Sequence, residues 1–252
     1  MPSITTLHIQ NFERDGYVAL QAFLSSAEIS EIESNLQRFI QQIIPNMPAE
    51  RVFYENKNDP NSLKQIQQMS EYDAFFYDLL HNSKIRRVAE KLLNDRVVPR
   101  NLQYFNKPPR VGQPTPAHQD GFYFMLEPCE AITFWLALDV TDEGNGCVRY
   151  VPGSHQQGLR HHGRTGTLGF SQGITDYSDC DSERELALHA NPGDLLAHHA
   201  LTIHRADGNQ SRDRNRRALG FIYYAERAKQ DQEAFEQYQI QLAKDMENSG
   251  VI

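Results

Sequence analysis

Apolar residues early in the chain recur at three- and four-residue steps. Ile29, Ile32, Leu36, Ile40 and Ile43 form one stripe between Ala27 and Ile44, the repeat of an amphipathic helix, with Ser26 as its predicted N-cap. Ahead of it, FERDGYVALQAF (Phe12–Phe23) reads as a helix end running into a strand. Pro45 to Asp59 is polar and contains proline, so it reads as a loop. Ser62 to Asn94 carries two more helical patterns, with Leu79, Leu80, Ile85, Val88, Leu92 and Leu93 as candidate core. Such stripes suit helix–sheet packing rather than a cofactor box.

The period shortens after Val97. TFWLALDV (Thr133–Val140) alternates: Phe134, Leu136, Leu138 and Val140 face one way, and Thr133, Trp135, Ala137 and Asp139 the other. DEGNGCVRYVPGSH (Asp142–His155) combines a glycine turn, a short strand and a Pro-Gly turn. Gly158 to Ser182 is rich in Gly, Ser, His and Arg and reads as a long functional loop. GDLLAHHALTIH (Gly193–His204) is a turn followed by strand, RRALGFIYYAE (Arg216–Glu226) is a strand, and a polar amphipathic helix follows from Gln230. Helices first and short strands later predict an α+β fold around a double-sheet β core. The expected organisation is a single domain over 1–252: a helical part to about residue 95, the core from about 96 to 228, and a terminal helix from about 229 to 250.

Composition narrows the function classes. The chain has 252 residues and a net charge of −8 without a long basic run, which argues against nucleic acid as a partner. No apolar run is long enough to span a bilayer and the N-terminus lacks a signal pattern, so no membrane association is expected. Cys129, Cys147 and Cys180 have no metal-site or redox spacing and suit free, inert thiols in a reducing cytoplasm.

The candidate chemistry centres on His118-Gln119-Asp120. On a strand, side chains two apart share a face, so His118 and Asp120 can converge while Gln119 points away. With His204 downstream they offer two imidazoles and a carboxylate, a set that leaves one face of an octahedral metal open, as non-heme Fe(II) oxygen chemistry needs. Two His and one Asp also suit a zinc hydrolase. The segment Arg160-His161-His162-Gly163-Arg164 concentrates positive charge in an acidic protein. It reads either as a solvated loop or as a lid that receives an anionic small-molecule substrate through Arg160, His162 and Arg164, with hinge glycines at 158, 163, 166 and 169. Tyr123 is a further candidate for the substrate side.

HQDGFYF (His118–Phe124), TFWLALDVTDEGNGCVRYVPGSHQQG (Thr133–Gly158), GDLLAHHALTIHRADGNQS (Gly193–Ser211) and RRA (Arg216–Ala218), opened by FERDGYVAL (Phe12–Leu20), together resemble the phytanoyl-CoA dioxygenase family of Fe(II)/2-oxoglutarate oxygenases. The resemblance implies a double-stranded β-helix, cupin-like, with N-terminal helices packed on one sheet. It implies iron ligation by His118, Asp120 and His204, with Arg216 pairing the distal carboxylate of 2-oxoglutarate. The His-to-Arg spacing is one residue longer than usual for the family, and Arg217 is the competing anchor. Gln103, Thr133, Trp135 and His199 are candidates for contact with cosubstrate or for orienting a ligand, and Lys107 reads as a solvent-facing lysine. His155, Asn209 and Ser211 read as turn-stabilising. The implied reaction is hydroxylation with O2, releasing succinate and CO2. Halogenation, which needs a small residue in place of the metal carboxylate, is disfavoured by Asp120. A non-catalytic jelly-roll binding module is disfavoured by the intact ligand set.

Overall fold

A computed structural model describes residues 4–167 and 170–248. The chain enters through α1 (Thr6–Asp15), β1 (Tyr17–Leu20), α2 (Ser26–Gln42), β2 (Val52–Tyr54) and β3 (Leu63–Ile66), then α3 (Met69–Tyr72), α4 (Ala74–His81) and α5 (Lys84–Leu92). Next come β4 (Val97–Lys107), β5 (Thr115–His118), the one-turn α6 (Gly121–Phe124), β6 (Leu126–Glu127), β7 (Ala131–Ala137) and β8 (Val148–Tyr150). A hairpin of β9 (His162–Thr167) and β10 (Phe170–Ile174) precedes α7 (Asp179–Glu183) and β11 (Leu186–Leu188). β12 (Leu195–His199), β13 (His204–Ala206), β14 (Arg216–Ala225), β15 (Lys229–Gln230) and α8 (Gln232–Asn248) complete it. Among the described residues, no helix is long and apolar enough to cross a membrane.

The strands form a larger antiparallel sheet ordered β1-β12-β7-β14-β4-β3-β2 and a smaller one ordered β11-β8-β13-β5. Trp135, Ala137, Leu196 and Ala218 of the first pack on Val148 and Tyr150 of the second. The two sheets thus close a jelly roll, with the helices on the outer face of the larger sheet.

Alternation along the larger sheet sorts its two faces. Leu102 and Tyr104, Leu219, Phe221 and Tyr223, and Ile132, Phe134 and Leu136 point outward into a core shared with Ile29, Ile32, Leu36, Phe39, Phe76, Leu80 and Ile85. The expected helix seats this core. Its N-cap is Ser25 rather than Ser26, because Glu28 stands three residues on and returns the bond to the Ser25 backbone, closing a capping box.

Several expectations need correction. The segment up to residue 95 holds more than helices and the expected strand β1: β2 and β3 also lie within it, and all three strands join the larger sheet. β3 hides from pattern reading because all four of its residues are buried, the polar ones through partners: Lys64 pairs with Glu55, and Gln65 donates to Gln103. β2 likewise falls within the expected loop from Pro45 to Asp59. The Thr133–Val140 strand runs instead from Ala131 to Ala137, every residue of it buried, while Val140 is exposed. Its alternation divides two buried faces, not a buried and a wet one.

Gly158 to Ser182 is a β-hairpin followed by α7, not a long loop. Gly163 pairs with Gly173 across the hairpin, and a Cβ at Gly163 would meet the Thr175 methyl at 2.6 Å. That glycine permits close packing instead of serving as a hinge. Gly169 lies outside the described residues. The tail helix begins at Gln232, two residues after the expected start.

Phe76 is fully buried and meets Phe39 and Phe75 edge to face. Phe76→Ala should therefore cost about 3–5 kcal/mol of stability. Urea unfolding followed by fluorescence measures this, and a loss near zero would mean that the helical layer does not hold the sheet.

Candidate active site

β5 and β13 lie side by side with His118 and His204 as register partners, so both imidazoles project from the same face, their centroids 4.1 Å apart. His118 Nδ1 lies 2.8 Å from the Pro116 carbonyl and His204 Nδ1 3.0 Å from the Thr202 carbonyl, each two residues back. A carbonyl only accepts, so each ring carries its proton on Nδ1 and presents a bare Nε2 to the site. Asp120 Oδ1 lies 3.5 Å from His118 Nε2 and 3.7 Å from His204 Nε2. Ligand atoms of the three residues all fall within 4.8 Å of one another, the spacing of donors around a single ion.

Asp120 does not sit on the strand as expected. β5 ends at His118, and Asp120 adopts a helical conformation at the start of α6. Gln119 makes that turn possible. Fully buried, it donates through Nε2 to the carbonyls of Gly158 and Leu201, and its Oε1 accepts from the Arg160 amide. Its own amide donates to His162 Nε2 at 3.0 Å. Gly121 N donates to the Ala200 carbonyl, tying the turn to the residue that follows β12. Burial opposes the charge on Asp120, yet the hydrogen bond from His198 holds its carboxyl well below the usual carboxylate range. Burial pushes the His204 imidazole well below its ordinary value, so it is neutral near pH 7. An ionised carboxylate beside a neutral imidazole is the protonation state a divalent metal requires.

The inner face of the larger sheet carries the expected companions. Arg216 opens β14 opposite Lys107 and is 5% exposed. Its guanidinium carbon lies 5.4 Å from the Trp135 ring centre, and its Nε has no hydrogen-bond partner. Among the described residues no carboxylate pairs with it. Burial draws its pKa down to about 10, leaving it charged at neutral pH. Arg217, one residue on, points to the helical face, where Asp139 and Glu33 neutralise it beside a cleft of about 510 Å³ under α2. Lys107 is not solvent-facing: it is buried, donating to the Gln113 carbonyl and Thr115 Oγ1, and burial beside Arg216 pushes its pKa well down. Gln103 is buried on the same face as Trp135 and accepts from Gln65. Thr133 donates to Asp120 Oδ2 at 2.5 Å, so it contacts the carboxylate itself.

Other expected residues lie elsewhere. His199 faces the helical side, packing on Phe12 and accepting from the Leu201 amide. The inward residue is its neighbour His198, opposite Thr133 in the ladder. In a pair of adjacent histidines only the strand register decides which points in. Arg160 is spent on ion pairs with Asp176 and Asp181, both at 2.9 Å. His162 is buried, stacked on Phe122 and bonded to Gln119, and holds the turn rather than facing a substrate. Arg164 is exposed on β9 opposite Gln172. Tyr123 does border the metal set, its ring 6.1 Å from that of His118, with its hydroxyl donating to the Gln172 carbonyl. His155 contacts the Glu13 carbonyl, and Asn209 donates to the carbonyls of Lys107 and Arg214, as turn residues do.

A model of the family described as phytanoyl-CoA dioxygenase (PhyH) matches residues 12–218. The chain is 26% identical over 243 residues to "Phytanoyl-CoA dioxygenase" of Arabidopsis thaliana, a match covering 83% of this chain and 85% of that one. It is 28% identical over 225 residues to "Phytanoyl-CoA dioxygenase, peroxisomal" of Mus musculus, covering 83% of this chain and 65% of that one. Among solved structures, the epimerase SnoN in complex with Fe3+, alpha ketoglutarate and nogalamycin RO shares the fold, with a TM-score of 0.71 at 22% identity, covering 88% of this chain and 84% of that one. The jelly roll and its His/Asp/His set are those of a 2-oxoglutarate-dependent dioxygenase. The chain belongs to the phytanoyl-CoA dioxygenase family.

The Arg160 ion pairs make a further expectation concrete. Arg160→Ala should lower unfolding stability by about 1 kcal/mol and leave metal binding intact. Chemical denaturation alongside a metal titration reads both, and undiminished stability would show that these pairs do not brace the hairpin.

Proposed function

We propose that the protein hydroxylates a small-molecule substrate in a single dioxygenase domain, with His118, Asp120 and His204 holding Fe(II) and Arg216 anchoring 2-oxoglutarate. The observation that carries this reading is Arg216: a buried cation with an unpartnered Nε, on the inner face of the sheet that also supplies Thr133 to Asp120. A buried charge without a counterion is costly, and the distal carboxylate of a diacid supplies one in bidentate form. A hydrolase using the same three ligands leaves that cation unexplained.

Fe(II), once bound, supplies the activation of O2, which couples decarboxylation of 2-oxoglutarate to succinate and CO2 with insertion of oxygen into a C–H bond. The chain does the rest. His118 and His204 present deprotonated Nε2 atoms, and Asp120 contributes one negative charge. Trp135 flanks the Arg216 guanidinium with its ring face, and the buried Lys107 amine lies opposite Arg216 at the same end of the barrel. On the substrate side, Tyr123 and Phe122 stand edge-on to each other, and Tyr238 of α8 lies edge-on to both. This aromatic wall favours an apolar part of the substrate near the metal. Arg164, exposed on β9, is the candidate to meet an anionic part of the substrate. The three free cysteines suit a reducing compartment such as the cytoplasm.

Arg216→Leu should weaken 2-oxoglutarate binding by about 2–5 kcal/mol with little change in Fe(II) affinity, as read by anaerobic titration of the metal-loaded protein. Arg217→Leu should leave cosubstrate binding unchanged, and the reverse pattern would refute the assignment. Asp120→Ala should lose Fe(II) binding and abolish hydroxylation, and it should not become an efficient halogenase when chloride is supplied. Near-normal turnover by that variant would overturn the ligand assignment.

A further inference from the structure

The inner face holds a third histidine beside the metal set. His198 is buried, with Nε2 3.1 Å from Asp120 Oδ2 and Nδ1 3.0 Å from the Tyr150 hydroxyl. The two oxygens of Asp120 are thereby placed in different surroundings. Oδ1 is turned to His118 Nε2 and His204 Nε2. Oδ2 is turned away and held by two groups, Thr133 Oγ1 and His198 Nε2.

We propose that Tyr150 and His198 form a positioning relay that, with Thr133, clamps Oδ2 and leaves Oδ1 alone to bind the metal. The inference rests on the reading of His118, Asp120 and His204 as the ligand set. An ionised carboxylate accepts hydrogen bonds and cannot donate, so in a neutral His198 the proton sits on Nε2. Nδ1 is then a lone pair and must accept, and the Tyr150 phenol is the donor that faces it. The opposite tautomer would set two lone pairs against each other at 3.1 Å.

The relay is built on rigid parts. Tyr150 is fully buried, and its ring stacks on Tyr17 at 4.7 Å and 10°. It is also the ladder partner of His204 in β8–β13, so the strand that places a ligand also places the end of the relay. Thr133 and His198 are ladder partners in β7–β12 and reach Oδ2 together. His198 is thus a positioning residue acting through Asp120. Without its donor, Oδ2 is free to turn toward the metal and occupy a coordination position that cosubstrate or O2 needs.

The test is an anaerobic Co(II) titration of the full chain, following affinity and visible absorption, with melting of the metal-free proteins in parallel. His198→Phe keeps a ring but loses the donor, and its Co(II) affinity should fall about 10–100-fold. Its absorption should weaken as a second carboxylate oxygen raises the coordination number. His198→Gln returns an N–H to the same oxygen and should recover most of the affinity and the wild-type spectrum. Tyr150→Phe keeps the ring stack and removes only the hydroxyl; it should weaken binding less than His198→Phe does, and serves if His198→Phe does not fold. Wild-type affinity and spectrum in His198→Phe, or in Tyr150→Phe, would overturn the relay. So would a His198→Gln protein as weak as His198→Phe, since the ring and not its N–H would then matter. A wild-type protein that takes up no Co(II) at all would instead remove the ligand set on which the inference stands.

Discussion

The pairing of His204 with His118 across β13 and β5 is the constraint on which the site depends. It brings two residues far apart in the chain to one face and fixes their rings 4.1 Å apart. A slip of one residue in that ladder would send one imidazole to the opposite side of the sheet. The local backbone completes the work, since each ring is locked by a carbonyl two residues before it. The carboxylate arrives by a turn rather than by strand alternation, and that turn is held by the buried amide of Gln119. Of the three residues in His118-Gln119-Asp120, the middle one is the structural anchor.

The larger sheet divides its labour between two buried faces. Outward residues are apolar and pack on the helices. Inward residues include Gln103, Lys107, Thr133, His198 and Arg216, all buried and polar. Interiors accept such groups when they are hydrogen-bonded or paired, and most of these are: Gln103 by Gln65, Thr133 and His198 by Asp120, and Lys107 by a carbonyl and a hydroxyl. Arg216 Nε departs from that pattern. A buried cation retained with an unpartnered Nε, beside inward polar groups that are themselves bonded, is the mark of a site shaped for something other than the fold.

The hairpin beside the site shows how charge can mislead. Its basic residues look like an anion receptor in sequence, yet Arg160 is matched by Asp176 and Asp181, which lie on the far side of the hairpin and in α7. His162 is consumed by the Gln119 turn. The positive segment braces the His118–Asp120 turn from outside, and the aromatic residues Phe122 and Tyr123 of α6 pack edge-on with Tyr238 of α8 beside it.

Local patterning was enough to read the α2 stripe and the presence of the β7 and β14 strands, because periodicity is a property of neighbouring residues. The His-x-Asp and the later His were legible for a related reason: residue type and spacing carry the chemistry of metal ligands. Tertiary structure alone decided between adjacent candidates. Arg216 rather than Arg217, and His198 rather than His199, face inward because ladder register, set by partners a hundred or so residues away or nearer, assigns each position to one face. β3 was hidden for the same reason, since its polar residues are buried against Glu55 and Gln103, and nothing within four residues announces that. Sequence names the groups that can do the chemistry; the pairing of distant strands determines which of them meet.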